Sequence, residues 1–183
     1  MASVLVPLAE GCEELEAVTI IDLLVRAGVE VVSAGLKAGS VKASRGLVIT
    51  PDTTLDEALK REFDMVVLPG GLPGADYLNN DPRIQSLIKK MADEGRYTAA
   101  ICAAPRVLAN AGVLGGKRAT SYPGTLDKMA LPDVEYCQEA VVQDGKVITS
   151  RGPGTAMEFA LTLIEILLGK EKRDEVAAGL LYG

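Results

Sequence analysis

The strongest constraint on what this chain can fold into is its alternation of short apolar runs with helical repeats. Val4–Leu8, Asp64–Leu68 and Tyr97–Ile101 are short and almost wholly apolar in their interiors. Runs of that length without polar alternation read as strands buried on both faces. Between the first two, Glu13–Ala27 places Leu15, Val18, Ile21 or Asp22, and Val25 at successive helical turns. Gly28 ends that helix, and Val29–Ser33 returns as a second strand. Asp81–Glu94 carries Ile84, Leu87, Ile88 and Met91 on one helical face. Strand–helix–strand units of this kind build a mainly parallel sheet with helices on both faces, an α/β fold.

The remaining segments extend the same plan. Lys42–Asp52 reads as a further strand in a small antiparallel excursion, and Gln143–Lys146 as a hairpin turn before Val147–Thr149. Ser150–Thr155 leads into a long apolar helix with Thr155 or Gly154 near its N-cap. No repeat, low-complexity segment or linker divides residues 1–183, and that length suits one domain with a sizeable core.

Composition removes several function classes. The net charge of −6, with no Lys/Arg-rich stripe, argues against nucleic-acid binding. Lys170–Arg173 is the nearest to a basic cluster and reads as a solvated helix end. The apolar stretch near the C-terminus is interrupted by Glu165 and is too short to span a membrane. No basic region followed by a long apolar run opens the chain, so no signal peptide is expected. Three cysteines (Cys12, Cys102 and Cys137) without framework spacing suit a reducing compartment, and the cytoplasm is the expected location. Histidine is absent altogether, which excludes Ser-His-Asp triads, Cys-His dyads and histidine-ligated zinc. No metal and no cofactor is expected.

One cysteine stands where nucleophiles are made. In Ala-Ala-Ile-Cys-Ala-Ala-Pro (99–105), Cys102 lies between a buried strand and the opening of a helix, with alanines two residues to either side. Small flanks let a sharp turn close and lift the side chain out of the sheet. A following helix N-terminus favours thiolate over thiol, which predicts Cys102 as the most acidic of the three thiols. The alternative is a small cysteine filling space beside a parallel strand.

Ligands of open α/β sheets bind beyond the carboxyl ends of the strands. Four loops meet there: Ala9–Glu13, Pro69–Gly74, Cys102–Pro105 and Ser150–Gly154. Glu13, Glu14 and Glu16 open the first helix, where acidic residues favour the dipole whatever the function. Glu14 fits that explanation. Glu16 stands among Leu15, Ala17 and Val18, and facing Cys102 it would share one proton with the sulfur. Gly70 and Gly71 allow close backbone approach, and the N–H groups of Gly71 and Ala103 are candidate oxyanion donors. Ser150–Thr155 is either a capped helix start or an anion-holding lip of the same pocket.

Ala-Glu-Gly-Cys-Glu-Glu-Leu-Glu-Ala-Val (9–18), Val-Val-Leu-Pro-Gly-Gly-Leu-Pro-Gly-Ala (66–75), the Cys102 motif and Thr-Ser-Arg-Gly-Pro-Gly-Thr (149–155) resemble the ThiJ/PfpI superfamily. Within it they are most similar to the branch of the parkinsonism-associated protein deglycase and its bacterial relatives. The resemblance implies a flavodoxin-like three-layer sandwich, a homodimer, and a reactive Cys102 beside a protonated Glu16, with Gly71 and Ala103 as backbone donors. It places Arg45 near the dimer contact and, with Gly70, Tyr122 and Glu13, at the pocket rim. Two departures stand out. Ala103 follows the cysteine where protease-like members have histidine, and Tyr122 occupies the stretch where human-like members carry another. Tyr122 is a poor base near neutral pH, and packing alone accounts for it equally well.

The resemblance implies a cysteine-dependent deglycase or glyoxalase acting on methylglyoxal, glyoxal or their early glycation adducts. The competing reading is a redox sensor or holdase chaperone that uses oxidation of Cys102. Both need the same sulfur.

Overall fold

The computed structural model describes all 183 residues. From the N-terminus, β1 (Ser3–Leu8) passes through a tight loop into α1 (Glu14–Arg26) and returns along β2 (Glu30–Gly35). A small hairpin of β3 (Val41–Lys42) and β4 (Val48–Ile49) follows, then β5 (Thr53–Thr54) and the single-turn α2 (Leu55–Ala58). β6 (Met65–Leu68) is followed by α3 (Gly74–Asn80) and α4 (Pro82–Asp93), and β7 (Tyr97–Ile101) by α5 (Pro105–Asn110). β8 (Arg118–Ala119) pairs with β9 (Glu135–Tyr136), and the hairpin of β10 (Val141–Asp144) and β11 (Val147–Ser150) leads to α6 (Ala156–Leu168) and α7 (Lys170–Gly179).

The central sheet has the order β10-β11-β7-β6-β1-β2-β5, parallel throughout except for β10. Alternating side chains feed two cores, because successive residues of a strand point to opposite faces. Val4, Val6, Leu8, Met65, Val67, Ala99 and Ile101 join α1 and α6 on one face. Leu5, Val66, Leu68 and Ala100 join the side of α4 and α5 on the other. The result is a three-layer sandwich, as the alternation predicts.

Local chemistry explains the boundaries. Glu13 caps α1, its carboxylate accepting from the Leu15 N–H at 3.3 Å, so the helix begins one residue later than the apolar spacing suggests. Asp81 caps α4 and Pro82 occupies its first turn, where a missing N–H costs nothing. Lys42–Asp52 does not form one strand. It breaks into the β3–β4 hairpin at Ala43–Leu47, because the segment wraps around the start of α1 instead of joining the main sheet. Lys170–Arg173 is a solvated helix end as expected, the first turn of α7, which begins after Gly169 at φ +94° ends α6.

α1 buries Ala17, Ile20, Leu23 and Leu24 against α6 and the sheet. Its other side is not covered within one chain: Leu15, Val18 and Val25 are about half exposed. Leu47 and Val48 of the neighbouring hairpin are exposed as well.

Candidate active site

Cys102 stands just beyond the carboxyl end of β7 in a left-handed conformation, φ +65°, which L side chains seldom adopt. Such a residue persists only where its surroundings hold it, at a cost of about 1–3 kcal/mol. Three hydrogen bonds do so. The Cys102 N–H donates to the Ser150 carbonyl at 3.0 Å, and its own carbonyl accepts from the Tyr122 N–H at 2.8 Å. Ala104 N–H closes the turn on the Ile101 carbonyl at 3.1 Å. Ala100 and Ala104 are fully buried, so larger flanks would not fit.

Glu16 enters from the first turn of α1 and is fully buried. Its Oε1 accepts the Gly70 N–H at 2.9 Å, while Oε2 is buried with no partner. A buried carboxylate oxygen left unpaired is costly. Gly70 shows how tightly the three groups are drawn together. A Cβ there would stand 2.5 Å from the Cys102 Cβ, 2.8 Å from the Ile101 carbonyl and 2.9 Å from Glu16 Oε1. Gly71, at φ +89°, lies equally close to the loop before α1, where a side chain would meet the Glu13 nitrogen at 2.3 Å. Glu13 N–H in turn donates to the Gly70 carbonyl at 2.9 Å, stitching the two loops.

Burial pushes the Glu16 carboxyl up from its ordinary 4.5 to about 7, against the pull of the Gly70 N–H and the Cys102 thiol. Burial also pushes the Cys102 thiol up, with the Glu16 charge next in effect, to about 12. The amides of Gly71 and Ala103 oppose this by favouring charge on sulfur. Between those values the pair holds one proton and one negative charge. The expectation of an intrinsically acidic thiol is therefore corrected. Burial raises the thiols of Cys12 and Cys102 alike, so the turn does not make Cys102 acidic in the resting site. The physical reason is distance and length: α5 begins only at Pro105 and has six residues, too little dipole to offset burial.

The other expected rim residues separate in role. Glu13 is nearly buried as the α1 cap, and its second oxygen accepts from Ser44 Oγ at 3.2 Å. Arg45 is exposed and its guanidinium has no ion pair; only its backbone is anchored, donating to Glu14 at 3.0 Å. Glu14 thus does more than favour the helix dipole. It receives the N–H groups of Arg45 and Leu47 and the Ser44 hydroxyl, and so fixes the turn between β3 and β4. Tyr122 touches the site through its backbone, while its ring is about half exposed beside Gly152.

Ser150–Thr155 is tied up structurally. Thr155 Oγ1 lies 2.7 Å from Ser150 Oγ and 3.0 Å from the Gly152 carbonyl, and Arg151 donates to the Ser121 carbonyl and the Tyr136 hydroxyl. Sequence reasoning missed Ser150 and Ser44 as positioning groups. Their partners lie 48 and about 30 residues away, so no local spacing signals them. No group of three or more Cys, Asp or Glu side chains is arranged to hold a metal ion.

Residues 2–166 match the DJ-1/PfpI family. The chain belongs to that family. It is 48% identical over 180 residues to Protein dj-1beta of Drosophila melanogaster, covering 98% of this chain and 96% of the fly protein. The Danio rerio Parkinson disease protein 7 homolog is 44% identical, with 97% and 95% covered. The Caenorhabditis elegans relative named Glutathione-independent glyoxalase DJR-1.2 is 39% identical, with 96% and 92% covered. The chain spans about half, 46%, of the Arabidopsis thaliana Protein DJ-1 homolog A, at 45% identity. The crystal structure of Drosophila DJ-1beta superposes with a TM-score of 0.95 over 100% of this chain and 98% of that one. This DJ-1/PfpI chain accordingly has the flavodoxin-like sandwich that its motifs imply.

Proposed function

We propose that the protein is a cysteine-dependent glyoxalase or deglycase acting on methylglyoxal, glyoxal or their early adducts with amines and thiols. The observation that carries this reading is the buried, unpaired Oε2 of Glu16 beside a cysteine held at φ +65°. A carboxyl with a pKa of about 7 is suited to take and return a proton near neutral pH. Cys102 sulfur attacks the aldehyde carbon of methylglyoxal, forming a C–S bond, and the thiol proton passes to the carbonyl oxygen to give a hemithioacetal. Glu16 removes the proton from that carbon and returns one to the neighbouring carbonyl carbon, giving a lactoyl thioester. Water then cleaves the thioester, releasing lactate and the free thiol, so the net reaction is addition of one water. The amides of Gly71 and Ala103 stabilise oxyanion or thiolate charge along this path. The relative named as a glyoxalase supports the same chemistry.

The active form in this reading is a homodimer. Its support is the exposed apolar stripe of Leu15, Val18 and Val25, continued by Leu47 and Val48 on the hairpin that Glu14 fixes. A cytoplasmic site of action is proposed with it; no helix is long and apolar enough to cross a membrane. The test compares wild type with Cys102→Ser for methylglyoxal consumption and lactate release. Loss of both in the variant is expected. Equal lactate release by the two proteins refutes the assignment, and peroxide-dependent suppression of client aggregation without lactate release favours the sensor reading.

A further inference from the structure

The two amides that favour charge on the Cys102 sulfur come from different arms of the site. Gly71 stands at the head of the loop into α3, and Ala103 at the head of the loop into α5. Each arm is a short helix: α3 has seven residues and α5 six, and neither has a side-chain N-cap. Helices that short are marginal alone and take their position from what they pack against. Leu78 of α3 and Val107 and Leu108 of α5 are buried in one apolar cluster, which joins their inner sides.

Two polar ties join the helices as well. The Arg106 guanidinium donates to Asp76 in an ion pair, and one turn further along Asn110 Nδ2 donates to Asn79 Oδ1 at 2.8 Å. Gln85 of α4 donates to the same Asn79 oxygen at 3.3 Å. Backbone bonds carry the ion pair's position to the site. The Ala75 N–H, one residue before Asp76, donates to the Gly71 carbonyl at 2.8 Å. The Val107 N–H, one residue after Arg106, donates to the Ala104 carbonyl at 2.8 Å.

As a stabiliser the ion pair is poor. Its side chains are 31% and 45% exposed, where such pairs contribute little, and reaching Asp76 leaves the Arg106 Nε–H buried without an acceptor. Its geometry matters more. Amides that stabilise charge work only within hydrogen-bond reach and alignment of it, so a small shift of one arm against the other weakens both.

We propose that Arg106 and Asp76 are positioning residues, a clamp between α3 and α5 that holds the Gly71 and Ala103 amides at the spacing a charged sulfur or oxyanion at Cys102 requires. As an aid to lactate formation the clamp rests on the function proposed above; its action on the sulfur does not.

The test follows iodoacetamide alkylation of Cys102 by peptide mass spectrometry, beside lactate release from methylglyoxal. It compares full-length wild type with Arg106→Ala, Asp76→Ala and the exchanged pair Arg106→Asp/Asp76→Arg. Because only the thiolate reacts, each single variant should alkylate Cys102 about fivefold more slowly near neutral pH, with its rate profile displaced to higher pH. The exchanged pair should recover most of the rate. Alkylation of Cys137 should not change, the melting temperature should move by less than about 4 °C, and kcat should fall about fivefold at constant KM. Unchanged Cys102 alkylation in both single variants overturns the proposal, as does a fall that the exchanged pair does not restore. A larger loss of melting temperature with faster alkylation of Cys137 makes the pair a structural support and also overturns it. Slower Cys102 alkylation in variants of a wild type that releases no lactate keeps the clamp and removes the glyoxalase reading; lactate release with unchanged alkylation does the reverse.

Discussion

Replacing Glu16 with Gln should make the protein more stable and less active at once, with a pH dependence that identifies the cause. In the folded chain burial raises this carboxyl from 4.5 to about 7. Folding therefore favours its protonated form, and between those two values the unfolded chain ionises first. The sign follows: the stability linked to this group is full below pH 4.5 and is lost as pH rises to about 7. At 1.36 kcal/mol per pH unit, the loss amounts to about 3 kcal/mol above pH 7. Gln keeps the shape and the bond from the Gly70 N–H but cannot ionise, so it avoids that loss. Its NH₂ inherits the site of the unpaired Oε2, a burden the protonated wild type shares. Urea unfolding at matched protein concentration, at half-unit steps from pH 4.5 to 8, should show the two proteins nearly equal at pH 4.5. They should diverge to about 3 kcal/mol by pH 8. In melting temperature that is roughly 6–12 °C for a chain of this size. Other titrating groups cancel because both proteins carry them. The same substitution should lower kcat/KM for methylglyoxal by about 10²–10⁴, the usual worth of a positioned acid–base group. Parallel stability curves across this pH range would refute the account of Glu16 as a buried, ionisable carboxyl.

Three further outcomes are expected. Gly70→Ala drives a methyl group to 2.5 Å from the Cys102 Cβ, so lactate release should drop at least tenfold while circular dichroism stays that of the wild type; full activity would show that the loop has slack. Mild peroxide should place two oxygens on Cys102, with Glu16 donating to the sulfinate through its free oxygen, and peptide mass spectrometry of Glu16→Gln should show less sulfinate or more sulfonate. A Cys12–Cys102 disulfide in its place would contradict that route. Val18→Lys, on the exposed apolar stripe of α1, should convert the proposed dimer to a monomer in sedimentation at micromolar concentration, and a wild-type monomer would remove the dimer from the reading.

The sequence by itself determined the sheet and the location of the cysteine. Runs such as Val66–Leu68 and Ala99–Ile101 are apolar at every position because both faces of a parallel strand are covered, and that pattern is local. The small residues around Cys102 likewise announce a tight turn without any tertiary information. Short elements escaped this reading: α3 lies hidden behind Pro73-Gly74, and the β3–β4 hairpin looks like one longer strand. The tertiary structure alone decided the electrostatics. Whether Glu16 sits near 4.5 or near 7 depends on how much water Gly70, Ile101 and Cys102 exclude from it, and those residues lie 54 to 86 positions away. The same holds for Glu14, whose carboxylate organises a turn 31 residues on, and for Cys102, whose thiol is raised by burial where its motif suggested an acidic group. Propensity and periodicity are properties of neighbours along the chain. Desolvation and charge coupling are properties of neighbours in space, and they exist only after the chain has folded.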